Sequence, residues 1–184
     1  MAGDERLRLF LGFRLPREAV ERLASWRERE LPLAAGIRVV APDDLHVTLA
    51  FLGSRPAAEL PGVVDVLARC TRDSAPPRFE AERYRETRSV GMLVLRDPSG
   101  AAGGLARRLH AELAELGVYR PEARPWLPHV TVVRFRERPR LRPEPPALAW
   151  VSSDAAAFLS RLHPSTLVEG AARYEVLESF TLGG

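Results

Sequence analysis

Lysine is missing from this chain: all 27 of its basic residues are arginine. Together with abundant alanine and proline, this points to the codon bias of a GC-rich genome more than to selection for guanidinium chemistry. Because arginine does not lose its proton, the isoelectric point rises to about 9.7 while the net charge is only +3. The high isoelectric point alone therefore says little about nucleic acid. Cysteine is almost absent too. The single Cys70 excludes an internal disulfide framework and a cysteine-based metal site, and at the end of a helical pattern it reads as a small buried hydrophobe. No run of about 18 apolar residues occurs, so no membrane-spanning helix is expected, and the opening MAGDERLRLF lacks the apolar stretch of a signal peptide. The expected location is the cytoplasm. Histidine is scarce, with four copies and no pair at i, i+4, so neither a metal site nor a cofactor is expected.

What the chain does have is apolar patterning. At 184 residues and 46% apolar content it fits one compact domain, or two small lobes sharing a core. Residues 7–13 read as a central strand. Pro16 offers a first-turn proline for a helix with Val20, Leu23 and Ala24 as its stripe, running to about residue 30. Strands are expected near 37–40 and 46–52. A second helix, with Leu60, Val63, Val64 and Leu67 on one face, stops before Ser74-Ala75-Pro76-Pro77. Strands near 78–84 and 90–95 follow, and then a helix with Leu105, Leu109, Leu113 and Leu116 that Gly117 ends. A strand over 129–135, a proline-marked loop around 139–146, and strands near 148–152, 155–162 and 172–182 complete the chain. Many neighbouring strands are joined too closely for parallel crossovers, so the sheets should be largely antiparallel and the class α+β.

One tetrapeptide pattern occurs twice, as His46-Val47-Thr48-Leu49 and His129-Val130-Thr131-Val132. Side chains alternate along a strand, so each copy sets a His and a Thr on one face and two apolar residues on the other. One copy is weak, because half-buried strands often carry β-branched residues near a polar one. Two copies among four His and six Thr argue for more than satisfied core histidines. Two imidazoles can serve as general base and general acid, with two hydroxyls to hold an oxyanion, which is chemistry suited to a phosphate ester without a metal.

The flanks of the motifs carry a family resemblance. Arg8-Leu9-Phe10-Leu11-Gly12-Phe13-Arg14-Leu15-Pro16 stands near the start, and Val40-Ala41-Pro42-Asp43-Asp44-Leu45 leads into the first motif, which Ala50-Phe51-Leu52-Gly53 follows. Arg124-Pro125-Trp126-Leu127-Pro128 leads into the second, which runs on to Arg134. With the run from Ser165-Thr166-Leu167 through Gly170, Tyr174 and Phe180, the chain resembles the 2H phosphoesterase superfamily, specifically its RNA 2′,3′-cyclic phosphodiesterase branch, also called the 2′-5′ RNA ligase family. The resemblance implies a single domain over 1–184 made of two pseudo-symmetric lobes with largely antiparallel sheets flanked by helices. Each lobe contributes one motif, and the motif strands face each other across a cleft.

The resemblance further implies metal-independent hydrolysis of RNA or oligonucleotide 2′,3′-cyclic phosphate ends to a 2′-phosphate. His129 would activate the water and His46 would protonate the departing ribose oxygen; the residues themselves do not distinguish these roles. Thr48 and Thr131 would donate hydroxyls to non-bridging oxygens. Arg134 matches a phosphate-holding position, yet strict alternation puts it on the Val130 and Val132 face, so it reaches the cleft only if the strand bends, bulges or ends there. Two rivals remain: reversible 2′-5′ RNA ligation, and an RNA- or nucleotide-binding module without turnover. No protein partner is implied and a monomer is expected.

Other residues have plainer readings. Arg134, Arg136, Arg138, Arg140 and Arg142 form either a basic rim that steers an RNA end or a solvated, proline-punctuated loop. His110, in a helix with Arg107, Arg108 and Glu112, reads as a surface residue, and His163 as part of a turn before Pro164. Phe10, Phe13 and Trp126 have the chemistry to stack on a base, with core packing expected for at least two of them.

Overall fold

A computed structural model describes residues 5–31, 36–161 and 174–183. His163 and the run from Ser165 to Gly170 lie outside them. In chain order the elements are β1 (Arg6–Arg14), α1 (Arg17–Glu30), β2 (Ile37–Val39), a 3-10 turn at Pro42–Asp44 and β3 (His46–Pro56). They continue with α2 (Leu60–Arg72), β4 (Arg78–Glu86), β5 (Val90–Arg96), α3 (Ala101–Glu115), β6 (His129–Phe135), β7 (Ala149–Val151), β8 (Asp154–Ser160) and β9 (Tyr174–Thr181). The strands join in the order β7-β4-β5-β6-β3-β1-β8-β9, with β2 beside β6, and every described pair is antiparallel. The α+β class expected from the short connections is the one observed.

β1 shows why its sequence barely alternates. Leu9, Leu11 and Phe13 enter the main core while Phe10 is buried on the opposite face with Ala156 and Phe158, so both sides of this strand are covered. Its partners are β3 and β8. Helices α2 and α3 pack on each other and against the β3, β8 and β9 side. Helix α1 lies over the other half of the sheet, where the Trp26 ring stands 6.5 Å from Tyr84 and its Nε1–H donates to the Glu144 carbonyl at 2.7 Å.

The helices sit where the sequence puts them, but two stripes are rotated. In α1 the buried residues are Ala19, Leu23, Trp26 and Arg27 rather than Val20, Leu23 and Ala24, because the large indole takes the core position and Arg27 lays its stem inward to donate to the Val40 carbonyl. Burial depresses the Arg27 pKa. Pro16 is the N-cap, one residue before the first helical position. In α2 the inward face is Val63, Val66, Leu67 and Cys70, so Val64 yields to Val66. In α3 Leu105, Leu109 and Leu113 are buried as expected, while Leu116 lies past the helix end and is exposed. Gly117 follows at φ +76°, the left-handed conformation that ends a helix at little cost in glycine.

Irregularities of register position the functional face. Against β1, strand β3 carries an extra residue at Leu49 and another at Leu52, since Gly12 pairs with Thr48 but Leu11 with Ala50, and Phe10 with Phe51 but Leu9 with Gly53. Against β5, strand β6 carries one at Val132, since Met92 pairs with Thr131 but Gly91 with Val133. The bulges at Leu49 and Val132 let two successive residues enter the core and then restore the alternation one step out of phase.

Gly12 lies directly across from Thr48, and a Cβ there would come 2.7 Å from the Val47 carbonyl oxygen, a backbone atom that cannot turn aside. Gly12→Ala is expected to cost about 1–3 kcal/mol, the usual range for forced overpacking. Urea denaturation checks this as a lowered midpoint at unchanged slope; an unchanged midpoint would show that β1 and β3 can separate there freely.

Candidate active site

The two motif strands are neighbours in the sheet, but they share only one matched pair, Val47 with Val130. Both valines are fully buried in the core. Their chain neighbours therefore point to the opposite face, and His46, Thr48, His129 and Thr131 surround one apolar pair. The antiparallel sense sets His46 toward Thr131 and Thr48 toward His129, so the group has local two-fold character. The motif strands thus lie side by side and splay apart on either side of this contact.

Both rings are held alike. The Nδ1–H of His46 donates to the carbonyl of Asp44 at 2.7 Å, and the Nδ1–H of His129 donates to the carbonyl of Leu127 at 2.9 Å. In each case the acceptor lies two residues earlier, on the segment entering the strand. A carbonyl can only accept, so it fixes the proton on Nδ1 and leaves Nε2 for chemistry. For His46, Nε2 lies 3.1 Å from the Thr48 hydroxyl.

Their surroundings differ. His46 is packed among Phe10, Tyr174 and Phe158, with ring centroids 4.7, 5.0 and 5.9 Å away. Phe10 and Phe158 are themselves stacked at 4.6 Å. Burial among these rings is the main force lowering the His46 pKa to about 4; the Asp44 carbonyl opposes it, and the nearby positive charge of His129 and Arg134 adds to it. Asp44 is buried, and its carboxylate accepts the Tyr174 backbone N–H at 3.2 Å, which ties β9 to the turn that enters the first motif.

Arg134 joins the group. The Val132 bulge brings it back to the face of Thr131 and His129, where its charge is felt by His46. Strict alternation would have turned it inward, and the bulge is the reason it does not. Trp126 ties the two motifs together by donating its Nε1–H to the Thr48 carbonyl at 3.0 Å. Phe13 is a core residue against Phe79, and Phe10 packs behind His46 in a second buried cluster.

His110 proves more than a surface residue. Half-buried and stacked on Tyr119 at 4.6 Å, it directs Nε2 at the carbonyl of Leu49, 2.8 Å away, which is the extra residue of the first β3 bulge. It holds the strand just past the first motif. A link across 61 residues of sequence leaves no local signal in the chain.

Among the described residues no group of three His, Cys, Asp or Glu is placed to hold a metal, and Cys70 is buried with its thiol donating to Glu112 and its pKa pushed up to about 12. No described helix is long and apolar enough to cross a membrane.

The depressed His46 pKa has a consequence for stability. Above about pH 6.5 the ring is neutral in both folded and unfolded chains and has no effect. As pH falls from 6.5 toward 4 the unfolded chain takes up a proton that the folded one refuses, so stability is lost across that window, by at most ~3 kcal/mol. Denaturation midpoints measured from pH 7 to 4 should fall more steeply for the wild type than for His46→Gln. Parallel profiles would mean that the ring is not held neutral by its cage.

Similarity to known proteins gives the chain a family. A model described as LigT-like phosphoesterase matches residues 13–89. The RNA 2′,3′-cyclic phosphodiesterase of Escherichia coli strain K12 is 33% identical over 184 residues, spanning 97% of this chain and 98% of that one. Among solved structures, TT0787 of Thermus thermophilus superposes with a TM-score of 0.81 at 31% identity, covering 97% of this chain and 99% of that one. Escherichia coli LigT complexed with 3′-AMP also gives 0.81, at 27% identity, covering 98% and 100%. With near-complete coverage at such identity, the chain belongs to the LigT-like phosphoesterase family of the 2H superfamily.

Proposed function

We propose that this protein hydrolyses the 2′,3′-cyclic phosphate at an RNA or oligonucleotide end to a 2′-phosphate, using His46 and His129 as a metal-independent acid–base pair. The observation that carries this reading is the shared lock on the two rings: each Nδ1 is committed to a backbone carbonyl, which leaves two Nε2 atoms and two threonine hydroxyls on one face around the Val47–Val130 pair. The names of the curated relatives support it.

In the proposed reaction one Nε2 takes a proton from water as the oxygen attacks phosphorus. The other gives a proton to the 3′-oxygen as its bond to phosphorus breaks, and the phosphate remains on the 2′-oxygen. Thr48, Thr131 and Arg134 hold the non-bridging oxygens. The family resemblance assigns the base to His129 and the acid to His46. The surroundings of His46 favour the reverse: burial among aromatic rings favours its neutral form, as a base requires. For His46 to act as the acid, the bound phosphate anion has to raise its pKa. Ligation would run the same steps in the same direction, with a 5′-hydroxyl in place of water as the attacking group. We further read the chain as one cytoplasmic domain of two lobes, acting as a monomer.

Replacing either histidine by Ala should lower turnover of a dinucleotide cyclic phosphate by about 10²–10⁴ with folding unchanged. The double variant should be little worse than the worse single one; multiplicative losses would contradict a pair acting as a unit. Activity should persist under thorough chelation, and loss on chelation with restoration by a divalent cation would refute the mechanism. No turnover on any cyclic phosphate, with retained binding, would favour a non-catalytic module.

A substrate whose leaving group departs without protonation separates the two roles. On the resemblance-based assignment, His46→Ala is partly rescued by such a substrate and His129→Ala is not. The opposite pattern would give the acid to His129.

A further inference from the structure

The arginine-rich segment after β6 is built into the fold by a buried carboxylate. Glu86, at the end of β4, accepts from the Arg140 N–H at 3.0 Å, the Leu141 N–H at 2.7 Å and Arg138 Nε at 3.1 Å; the Tyr84 hydroxyl is 3.4 Å away. The Glu86 side chain is 2% exposed, so its charge is spent inside on Arg138 and two backbone amides. The loop is therefore pinned at a defined place. Arg140 is held there at φ +59°, the only described non-glycine residue with a positive φ.

Pinning the loop leaves guanidinium groups around an open hollow of about 460 Å³, lined by Arg85, Arg138, Arg140 and Arg142 together with Tyr84 and Glu86. Among the described residues Arg85, Arg140 and Arg142 have no acidic partner at ion-pair distance. On the other half of the sheet, by contrast, Arg14 is neutralised by Asp154 at 2.7 Å and Arg8 lies over the Phe51 ring.

Register connects one rim of the hollow, Arg85, to the histidine pair; its chain neighbours Tyr84 and Glu86 share rows with Leu93 and Gly91 on the core face, so the hollow stands at the edge of β4, where the two faces meet. Arg85 pairs with Met92, and Met92 pairs with Thr131, so Arg85 and Thr131 share one row on one face of the sheet. Two strand spacings separate them, roughly 10 Å. A 2′,3′-cyclic phosphate closes the 3′ end of a chain, so the rest of the RNA leaves the site in one direction only.

We propose that the chain leaves over this row, and that the basic hollow at the end of β4 takes an internal phosphate of a single-stranded RNA whose cyclic end occupies the histidine pair. This rests on the functional reading above and extends it from a terminal group to an oligonucleotide. Guanidinium forks match phosphate oxygens in pairs, and the buried Glu86 fixes where the forks stand without opposing an anion at the surface.

The test compares a dinucleotide with an oligomer of about ten nucleotides, both ending in a 2′,3′-cyclic phosphate, over a range of salt. The variant is Arg140→Asn with Arg142→Ser, since asparagine tolerates the left-handed backbone and the amide to Glu86 is kept. For the wild type, kcat/KM on the oligomer should fall more steeply with salt than on the dinucleotide. The double variant should lessen the slope of log kcat/KM against log salt by about 1.4, two lost contacts at ~0.7 each, which is roughly sevenfold between 50 and 200 mM. Its dinucleotide turnover should be unchanged, and Arg140→Lys with Arg142→Lys should keep most of the slope. An unchanged oligomer slope, or an equal loss on both substrates, would overturn the proposal. A wild type inert on both substrates would instead refute the functional reading, and oligomer binding followed by fluorescence anisotropy across the same salt range would still decide whether the hollow holds the chain.

Discussion

The contact between Val47 and Val130 is the constraint on which the site depends. Antiparallel neighbours ordinarily continue their ladder for several residues, and here the ladder is held to one pair. The turn at Pro42–Asp44 ends it on one side and the Leu49 bulge bends β3 on the other, while β2 occupies the next stretch of the β6 edge through Val39 and Val133. A longer ladder would flatten the junction and close the rows of polar side chains on one another. A shorter one would leave no fixed distance between the motifs. One buried apolar pair is enough to set the register, and a slip of either strand by a single residue would turn its histidine toward the core.

Chemical equivalence in the sequence becomes physical inequivalence in the fold. His46 and His129 share a motif and an Nδ1 lock, yet one ring is packed among three aromatic side chains, and among the described residues none packs on the other. Two identical side chains cannot divide a proton-transfer task unless their environments differ, and burial is the cheapest way for a fold to differentiate them. Phe10 and Phe158 supply that difference from strands that carry no catalytic candidate. The Asp44 carboxylate extends the arrangement by binding the start of β9, where Tyr174 completes the cage.

Much of this was legible in the chain, and the limits have identifiable causes. The duplicated His-x-Thr pattern marks four side chains whose common face follows from strand alternation alone, and the bounds of β6 match the expected 129–135. The patterning also placed each helix. What it could not place were features set by contacts distant in sequence. The Val132 bulge depends on the pairing of β6 with β5, so Arg134 looked misdirected when the alternation was followed strictly. His110 looked like a surface residue because its partner, the Leu49 carbonyl, exists only once α3 has packed against β3. Spacing alone fits Ala24 to the α1 stripe, but Trp26 takes the core position because its indole finds an acceptor 118 residues away.

Charge closes the argument. The nearby charge of Arg134 and His129 works against protonation of His46, in the same direction as its burial. An anionic phosphate placed among them reverses that field, because it neutralises the guanidinium and favours an imidazolium beside it. Linkage then runs both ways: whatever the phosphate adds to the proton affinity of His46, the proton returns as affinity for the phosphate. A site of this kind becomes fully charged only when its substrate is present, and in the proposed reaction the proton needed by the leaving oxygen arrives with the anion that needs it. The fold can therefore hide a histidine among aromatic rings without disarming it, since the ligand supplies the charge balance that the protein withholds.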